Sequence, residues 1–324
     1  MSALRIGVSG VGSIGLRHTR LLAEQPGVEV TVFDSTPERL NLPAGVRVAP
    51  DFAALLDAGL DGLVVATPDA AHAPQSIAAC ERGIAVLVEK PVADSVAAAT
   101  DVAQVATRTG VGVLVGYVLR HYRVLALVGE LLADEAVGTP VSLHVTLGAY
   151  ETLRLARNRF RDGDRFRLPY DYSHEWDYLQ WLLGPVTGVA AVARLAGDRP
   201  LRQDPNVIDG VLTLASGVTG TFHLDYVAED VGRRLEVVGD RGALRADLTR
   251  GQVRVRAYAS NLAREYDCAE HRDEAFTRQL THFLDVARGQ AEPLVSVTDG
   301  IRALAVADAV VAACEQSGWA TVAA

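Results

Sequence analysis

Cysteine is scarce in this chain: there are three, Cys80, Cys268 and Cys314, and none is spaced to pair with another. That scarcity argues against a disulfide framework and a zinc site, and it predicts a reducing compartment. Basic residues are also in deficit, with 31 Lys and Arg against 40 Asp and Glu and a net charge of −9. A general nucleic-acid surface is therefore not expected. No uninterrupted apolar run is long enough to span a bilayer, and no basic segment precedes an apolar one at the start. The expectation is a soluble, cytoplasmic protein with no metal centre, no nucleic-acid partner and no membrane partner. Internal repeats and low-complexity tracts are lacking too. At 324 residues, 49% of them hydrophobic, the chain has room for two domains, each with a sizeable core.

The richest signal lies in the first 34 residues. A β-branched run over 5–9 leads into Gly10-Val11-Gly12-Ser13-Ile14-Gly15, a helical pattern follows, and a second apolar run over 28–33 ends on Asp34. Gly10 permits the tight turn out of the strand, Gly12 lets the backbone approach a pyrophosphate, and Gly15 lets the helix pack closely on the sheet. The helix N-terminus turns its N–H groups and positive dipole end toward the phosphates. Asp34 stands where a carboxylate accepts hydrogen bonds from the ribose hydroxyls. It would repel a 2′-phosphate, so NAD is expected over NADP. The alternative role for Asp34 is to cap the turn that follows it. Arg39 lies close enough to soften the preference.

Apolar runs over 5–9, 28–33, 46–48, 62–66, 84–88 and 111–115 alternate with helical patterns, notably 70–82 and 95–109. Such alternation predicts a parallel, doubly wound Rossmann sheet covered on both faces. The pattern changes after Arg120. A connecting helix is expected over 122–132, a strand over 141–150 and a helix over 174–183. Alternating strands over 207–215, 218–227, 234–238, 243–248 and 253–258 come next, and helices over 276–288 and 300–315 close the chain. The fold class is thus α/β, with a Rossmann domain over 1–120. A second α+β domain over 121–324 should carry a mainly antiparallel open sheet.

Two clusters carry candidate chemistry. Lys90, in Glu89-Lys90-Pro91, sits at the C-terminal tip of a predicted strand, where open α/β sheets place their ligands. An ammonium there can hold a developing alkoxide, although a lone lysine is more often a surface ion pair. Pro91 fixes the turn that aims it and is a candidate for a cis bond. The second cluster is Asp171-Tyr172-Ser173-His174-Glu175-Trp176-Asp177-Tyr178. Here Asp171 or Ser173 can cap a helix whose first turn carries His174, and Asp177 and Tyr178 share a face with it. The dipole favours a neutral imidazole, while Glu175 and Asp177 pull the other way. A first-turn histidine is commonly no more than a cap or a surface residue.

Taken in order, Gly10 to His18 as G-x-G-x-x-G-x-x-H, Ala66-Thr67-Pro68-Asp69 with His72, Glu89-Lys90-Pro91, Gly116-Tyr117-x-x-Arg120 and the His174 helix ending at Gly184 resemble the Gfo/Idh/MocA family. Gly239-x-x-Gly242 and Asp299-Gly300-Ile301 fit it as well, and the resemblance covers most of the chain. It implies hydride transfer between NAD and a secondary alcohol of a sugar, polyol or sugar nucleotide. Lys90 would polarise the hydroxyl and His174 would exchange its proton. The resemblance extends the cofactor set of Gly10, Gly12, Gly15 and Asp34 to Ser13, Ile14, Thr67, Pro68, His72, Glu89 and Lys90. Substrate candidates are Arg120, Tyr172 and Asp177. It also implies a homodimer or homotetramer built on the open sheet face. Three departures stand out. Tyr170 occupies the place of the usual acid four residues before the histidine, Leu168-Pro169 replace a glycine pair, and Val118 and Arg123 replace an asparagine and a proline. Asp171, at three before, is then either a proton relay or a cap. Two other readings of the same fold are an NAD-binding regulator without turnover and a glycosidase that uses NAD transiently. An arginine-rich segment (Arg154, Arg157, Arg159, Arg161, Arg165 and Arg167, with Asp162 and Asp164) can bind a phosphate or carboxylate of a sugar nucleotide, or simply pair with nearby acids.

Overall fold

The computed structural model describes residues 3–36, 41–155, 165–198, 200–260 and 262–323. The chain divides into two compact units: residues 1–121 with 271–301, and residues 122–270 with 302–324.

The first unit is built on six parallel strands: β1 Leu4–Ser9, β2 Val28–Phe33, β3 Arg47–Val48, β4 Gly62–Val65, β5 Ala85–Val88 and β6 Val113–Val115. Their order is β3-β2-β1-β4-β5-β6. This is the doubly wound order, in which the direction of winding reverses between β1 and β4 and opens a crevice at their carboxyl ends. Both β4 and β5 are buried along their whole length, which is why they read as unbroken apolar runs. Helices α1 Ser13–Ala23, α2 Phe52–Leu56, α3 His72–Cys80 and α4 Val96–Thr109 cross between strands. Local signals bound them. Asp51 accepts from the Ala54 N–H at the start of α2, and Ser95 does the same for Ala98 at the start of α4, which stops at the left-handed Gly110.

The second unit contains α5 Arg123–Ala133, β7 Pro140–Gly148, α6 Glu151–Leu155, α7 Leu168–Asp171 and α8 Ser173–Leu183. Strands β8 Val186–Arg194, β9 Val207–Leu214, β10 Thr219–Asp225, β11 Gly232–Gly239, β12 Gly242–Asp247, β13 Gln252–Ala257 and β14 Ala263–Asp267 follow. With β15 Trp319–Thr321 they form a nine-stranded sheet, β14-β13-β12-β11-β7-β10-β9-β8-β15. Every pairing is antiparallel except β7 with β10. Along β7, Leu143, Val145 and Leu147 face the core while His144 and Thr146 are exposed, the period of two expected of a sheet with one open face.

The compact units do not follow a single cut in the chain: 122–270 belongs to the second unit, and 271–301 returns to the first. The cause is α9 Arg272–Ala287, whose buried stripe includes Phe276 and Phe283. The Phe283 ring seats on Gly62 of β4, where a Cβ would come within 2.8 Å of it, and the Phe276 ring meets His18 of α1 edge-on at 5.5 Å. The last helix, α10 Val297–Gln316, opens in the first unit.

Candidate active site

The glycine loop leaves β1 with Gly10 at φ +83°, where any side chain would also meet the Ala66 carbonyl at 2.6 Å. A Cβ on Gly15 would collide with the Gly10 carbonyl, so this glycine is what allows α1 to sit down on the loop. Gly12 is different: no heavy atom lies within 4 Å of the position a Cβ would take. It also N-caps α1 without a side-chain cap, and no acid occupies the first turn. The unshielded helix end beside an open Gly12 is a cradle of the shape and polarity that a pyrophosphate needs. Ser13 is exposed and Ile14 half-buried at this same helix start.

Asp34 closes the cradle and fills one of its expected roles, holding the turn that follows it. One carboxylate oxygen accepts from the Val11 N–H at 2.6 Å, and the other accepts from the Thr36 N–H at 2.9 Å and its hydroxyl at 3.0 Å. Partial burial pushes its carboxyl up, but these hydrogen bonds outweigh it and hold it below the usual range. A carboxylate has about four lone-pair sites, so these three donors leave about one, on the oxygen that faces Val11, for a further hydroxyl. Arg39 lies outside the described residues.

Thr67 and Pro68 follow β4, half-buried and exposed respectively, on the other side of the crevice. His72 does not join them at the surface. It is buried, with Nδ1 2.7 Å from the Pro91 carbonyl and Nε2 2.8 Å from the Thr67 carbonyl, so both ring nitrogens are taken up by the protein itself. The ring thereby ties the Thr67 loop to the Pro91 loop. Glu89 is likewise engaged from below. Its Oε1 lies 2.7 Å from Nε2 of His18, and a Cβ on Gly116 would come within 3.0 Å of it. Burial pushes the Glu89 carboxyl up, but the His18 hydrogen bond and the charges of His18, Lys90 and His72 pull it further down, below the ordinary value. Lys90 stands half-buried two residues beyond β5, and its bond to Pro91 is cis.

Arg120 is buried. Its guanidinium lies 3.3 Å from Asp299 at the opening of α10 and donates to the Leu294 carbonyl at 3.3 Å. Burial raises the Asp299 carboxyl, while Arg120 and Ser296 bring it below the usual range. Two pieces of the sequence resemblance, Arg120 and the Asp299-Gly300 turn, are thus the halves of one ion pair. Gly300 in turn packs against Val92, next to the Lys90 loop, with 2.9 Å left for a Cβ.

In the second unit, His174 lies half-buried in the first turn of α8. The N-cap is Tyr172, with no side-chain cap, so neither Asp171 nor Ser173 fills that role. The reason is α7: Pro169 starts a short helix that runs through Asp171 almost into α8. The Asp171 carboxylate instead accepts from the Tyr226 hydroxyl at 2.6 Å and from Arg167 at 3.3 Å. Tyr170, which stands in the place of the usual acid, donates to Asp308 of α10 at 2.6 Å. Tyr172 is buried. Its hydroxyl lies 3.1 Å from the Asp225 carbonyl, 3.3 Å from the Ala149 carbonyl and 3.2 Å from the Thr152 hydroxyl. Asp177 and Tyr178 are buried too, and burial keeps the Tyr178 phenol protonated. The buried Glu175 rests on Arg233 at 2.8 Å, which places a compensating cation beside the His174 turn. Of the arginine-rich segment, Arg154 stacks on Tyr150 at 4.7 Å and pairs with Glu229 at 3.0 Å, Arg165 lies over Phe166, and Arg167 pairs with Asp171. Arg157, Arg159, Arg161, Asp162 and Asp164 lie outside the described residues.

Sequence reading missed one titratable cluster. On β10, His223 sits between Asp209 (2.7 Å) and Asp225 (2.9 Å), beside a polar cavity of about 610 Å³. The Asp225 hydrogen bond and then Asp209 raise its pKa to about 9 against the opposing effect of burial. The signal was available: His223 and Asp225 share a face two residues apart, and Asp209 is the direct register partner of His223. Among the described residues no group of three or more His, Cys, Asp or Glu is arranged to hold a metal, and no helix is long and apolar enough to cross a membrane.

The parallel sheet and its glycine cradle define the N-terminal unit as a dinucleotide-binding Rossmann domain. A model described as "Oxidoreductase family, NAD-binding Rossmann fold" matches residues 4–117, and one described as "Oxidoreductase family, C-terminal alpha/beta domain" matches residues 130–322. The chain belongs to the Gfo/Idh/MocA oxidoreductase family. It is 31% identical over 342 residues to inositol 2-dehydrogenase 1 of Saccharopolyspora erythraea, covering 96% of this chain and 94% of that one. Its fold matches levoglucosan dehydrogenase in complex with NADH, with a TM-score of 0.85 at 18% identity over 99% of this chain and 100% of that one. It also matches the WlbA dehydrogenase from Bordetella pertussis in complex with NADH and UDP-GlcNAcA, with a TM-score of 0.81 at 20% identity over 100% and 99% of the two chains.

Proposed function

We propose that the protein interconverts a secondary alcohol and a ketone on a sugar, polyol or sugar nucleotide. NAD would be held by Gly10, Gly12, Ser13, Ile14, Gly15, Asp34, Thr67 and Pro68, and when bound it supplies the hydride acceptor at nicotinamide C4. The observation that carries the reading is Lys90, set just beyond a central strand tip of the same sheet that builds the cradle, within the family's Glu-Lys-Pro turn. In the oxidative direction the Lys90 ammonium donates to the reacting oxygen and stabilises its developing negative charge. His174 takes the hydroxyl proton as the carbonyl forms and returns it in the reverse direction. The dipole of α8 favours the neutral imidazole that accepts this proton, and Arg233 offsets the charge of the neighbouring Glu175.

The relatives' names, inositol 2-dehydrogenase and levoglucosan dehydrogenase, support a polyol or sugar as substrate. WlbA with UDP-GlcNAcA supports the sugar-nucleotide branch, but Arg154 and Arg167 already pair with acids, which favours a neutral substrate. We further propose a homo-oligomer assembled on the open face of the nine-stranded sheet, where Val192 and Val211 are exposed. The test is a panel of polyols, free sugars and sugar nucleotides with NAD, followed by nicotinamide absorbance. One substrate class should turn over. His174→Ala should lower turnover by about 10²–10⁴ with NADH affinity nearly intact, and Lys90→Ala should lower it too. A panel flat in both directions would turn the reading to an NAD-binding regulator, consistent with Asp171 being held by Tyr226 and Arg167.

A further inference from the structure

Lys90 is the only lysine in the chain; every other one of its 31 Lys and Arg positions is arginine. Arginine therefore serves everywhere else that a cation is wanted, and the one compact ammonium is kept here. A lysine stem has four flexible carbons, so an ammonium is well aimed only when the backbone beneath it is fixed.

The residues on either side of Lys90 are held by two buried histidines. Before it, the Glu89 carboxylate lies 2.7 Å from Nε2 of His18, which is 0% exposed and is wedged against Phe276. After it, the Pro91 carbonyl lies 2.7 Å from Nδ1 of His72, which is 1% exposed and reaches the Thr67 carbonyl with its other nitrogen. The two histidines come from different elements, α1 and α3, and they converge on the two neighbours of one side chain. Each also reaches the cofactor cradle: His18 stands on the helix whose N-terminus faces it, and His72 holds Thr67 at its far rim.

We propose that His18 and His72 are positioning residues for Lys90, His18 acting through the Glu89 carboxylate and His72 through the Pro91 carbonyl, so that the ammonium keeps a fixed register to the cradle. This deepens, and rests on, the role given above to Lys90.

A sole lysine makes the test direct. Protein grown on lysine labelled with 13C at Cε and 15N at Nζ gives a single side-chain signal. In the wild type that signal should lie away from the free-lysine position. In His18→Leu and His72→Leu it should move to the free-lysine position, with kcat down roughly tenfold or more and NADH affinity, read by fluorescence, within about twofold. His18→Gln, which keeps an N–H donor toward Glu89, should recover most of both. If the Leu variants do not fold by circular dichroism, His18→Asn and His72→Asn, polar but too short to reach, carry the same expectation. A wild-type signal and wild-type kcat in these variants would overturn the clamp. Unchanged turnover in Lys90→Ala is a separate result: it overturns the catalytic role of Lys90, whereas the labelled signal still decides whether the histidines hold it.

Discussion

At the scale of single residues, the instructive cases are side chains whose sequence context named them but not their partners. Glu89 stood out within Glu-Lys-Pro, and His18 as the end of an extended glycine motif, yet their contact spans 71 residues and no local pattern encodes it. Arg120 and Asp299 were likewise visible separately and met only in space. Asp34 was legible as a candidate because its distance along the chain to the glycine loop marks it out, and its contact with the Val11 amide places it there. His223 allows a prediction of its own. Its folded pKa of about 9 lies above the ordinary 6.5, so the stabilisation from its two aspartates is fully present below pH 6.5 and is lost as the pH rises through 9. In a series of Tm measurements against pH, His223→Gln should be less stable than the wild type at pH 6, with the difference shrinking toward pH 9.5. A constant difference would mean that titration of this histidine contributes nothing.

At the scale of elements, the glycine loop separates two kinds of constraint that look identical in sequence. Gly15 is required by the fold, because a side chain there strikes the Gly10 carbonyl, whereas Gly12 faces open space. Gly15→Ala should therefore lower stability by about 1–3 kcal/mol, read as a drop in Tm or in the denaturant midpoint. Gly12→Ala should leave Tm unchanged and weaken NADH binding roughly tenfold, about 1.4 kcal/mol, by titration. Equal loss of stability in both would contradict this division. The parallel strands were readable because burial on both faces leaves unbroken apolar runs. Strands β8, β14 and β15 were not, since β8 joins small residues to a mixed face, β14 is charged and exposed, and β15 has three residues. The α7 segment was hidden because a four-residue helix has no period to detect.

At the scale of the molecule, the return of 271–301 to the first unit was the largest feature that sequence order concealed. Patterning shows that α9 is amphipathic, but nothing local says which sheet its apolar stripe will meet. A fragment ending at residue 121 lacks Phe276 and Phe283 and lacks Asp299 for Arg120. It should bind a hydrophobic dye and fail to bind NADH, while a chain joining 1–121 to 271–301 through a short linker should fold cooperatively and bind NADH. Binding of NADH by the shorter fragment would show that α9 is dispensable to the cradle.

Asp34 also bears on how such a protein changes over evolutionary time. The carboxylate proposed to repel a 2′-phosphate is the same group that holds the Val11 amide and the Thr36 turn. Exchanging it for a neutral or basic residue relaxes discrimination and unfastens the glycine loop in a single event. A lineage moving toward the phosphorylated dinucleotide must first supply another anchor for that loop, so the preference for NAD is protected by architecture as well as by charge.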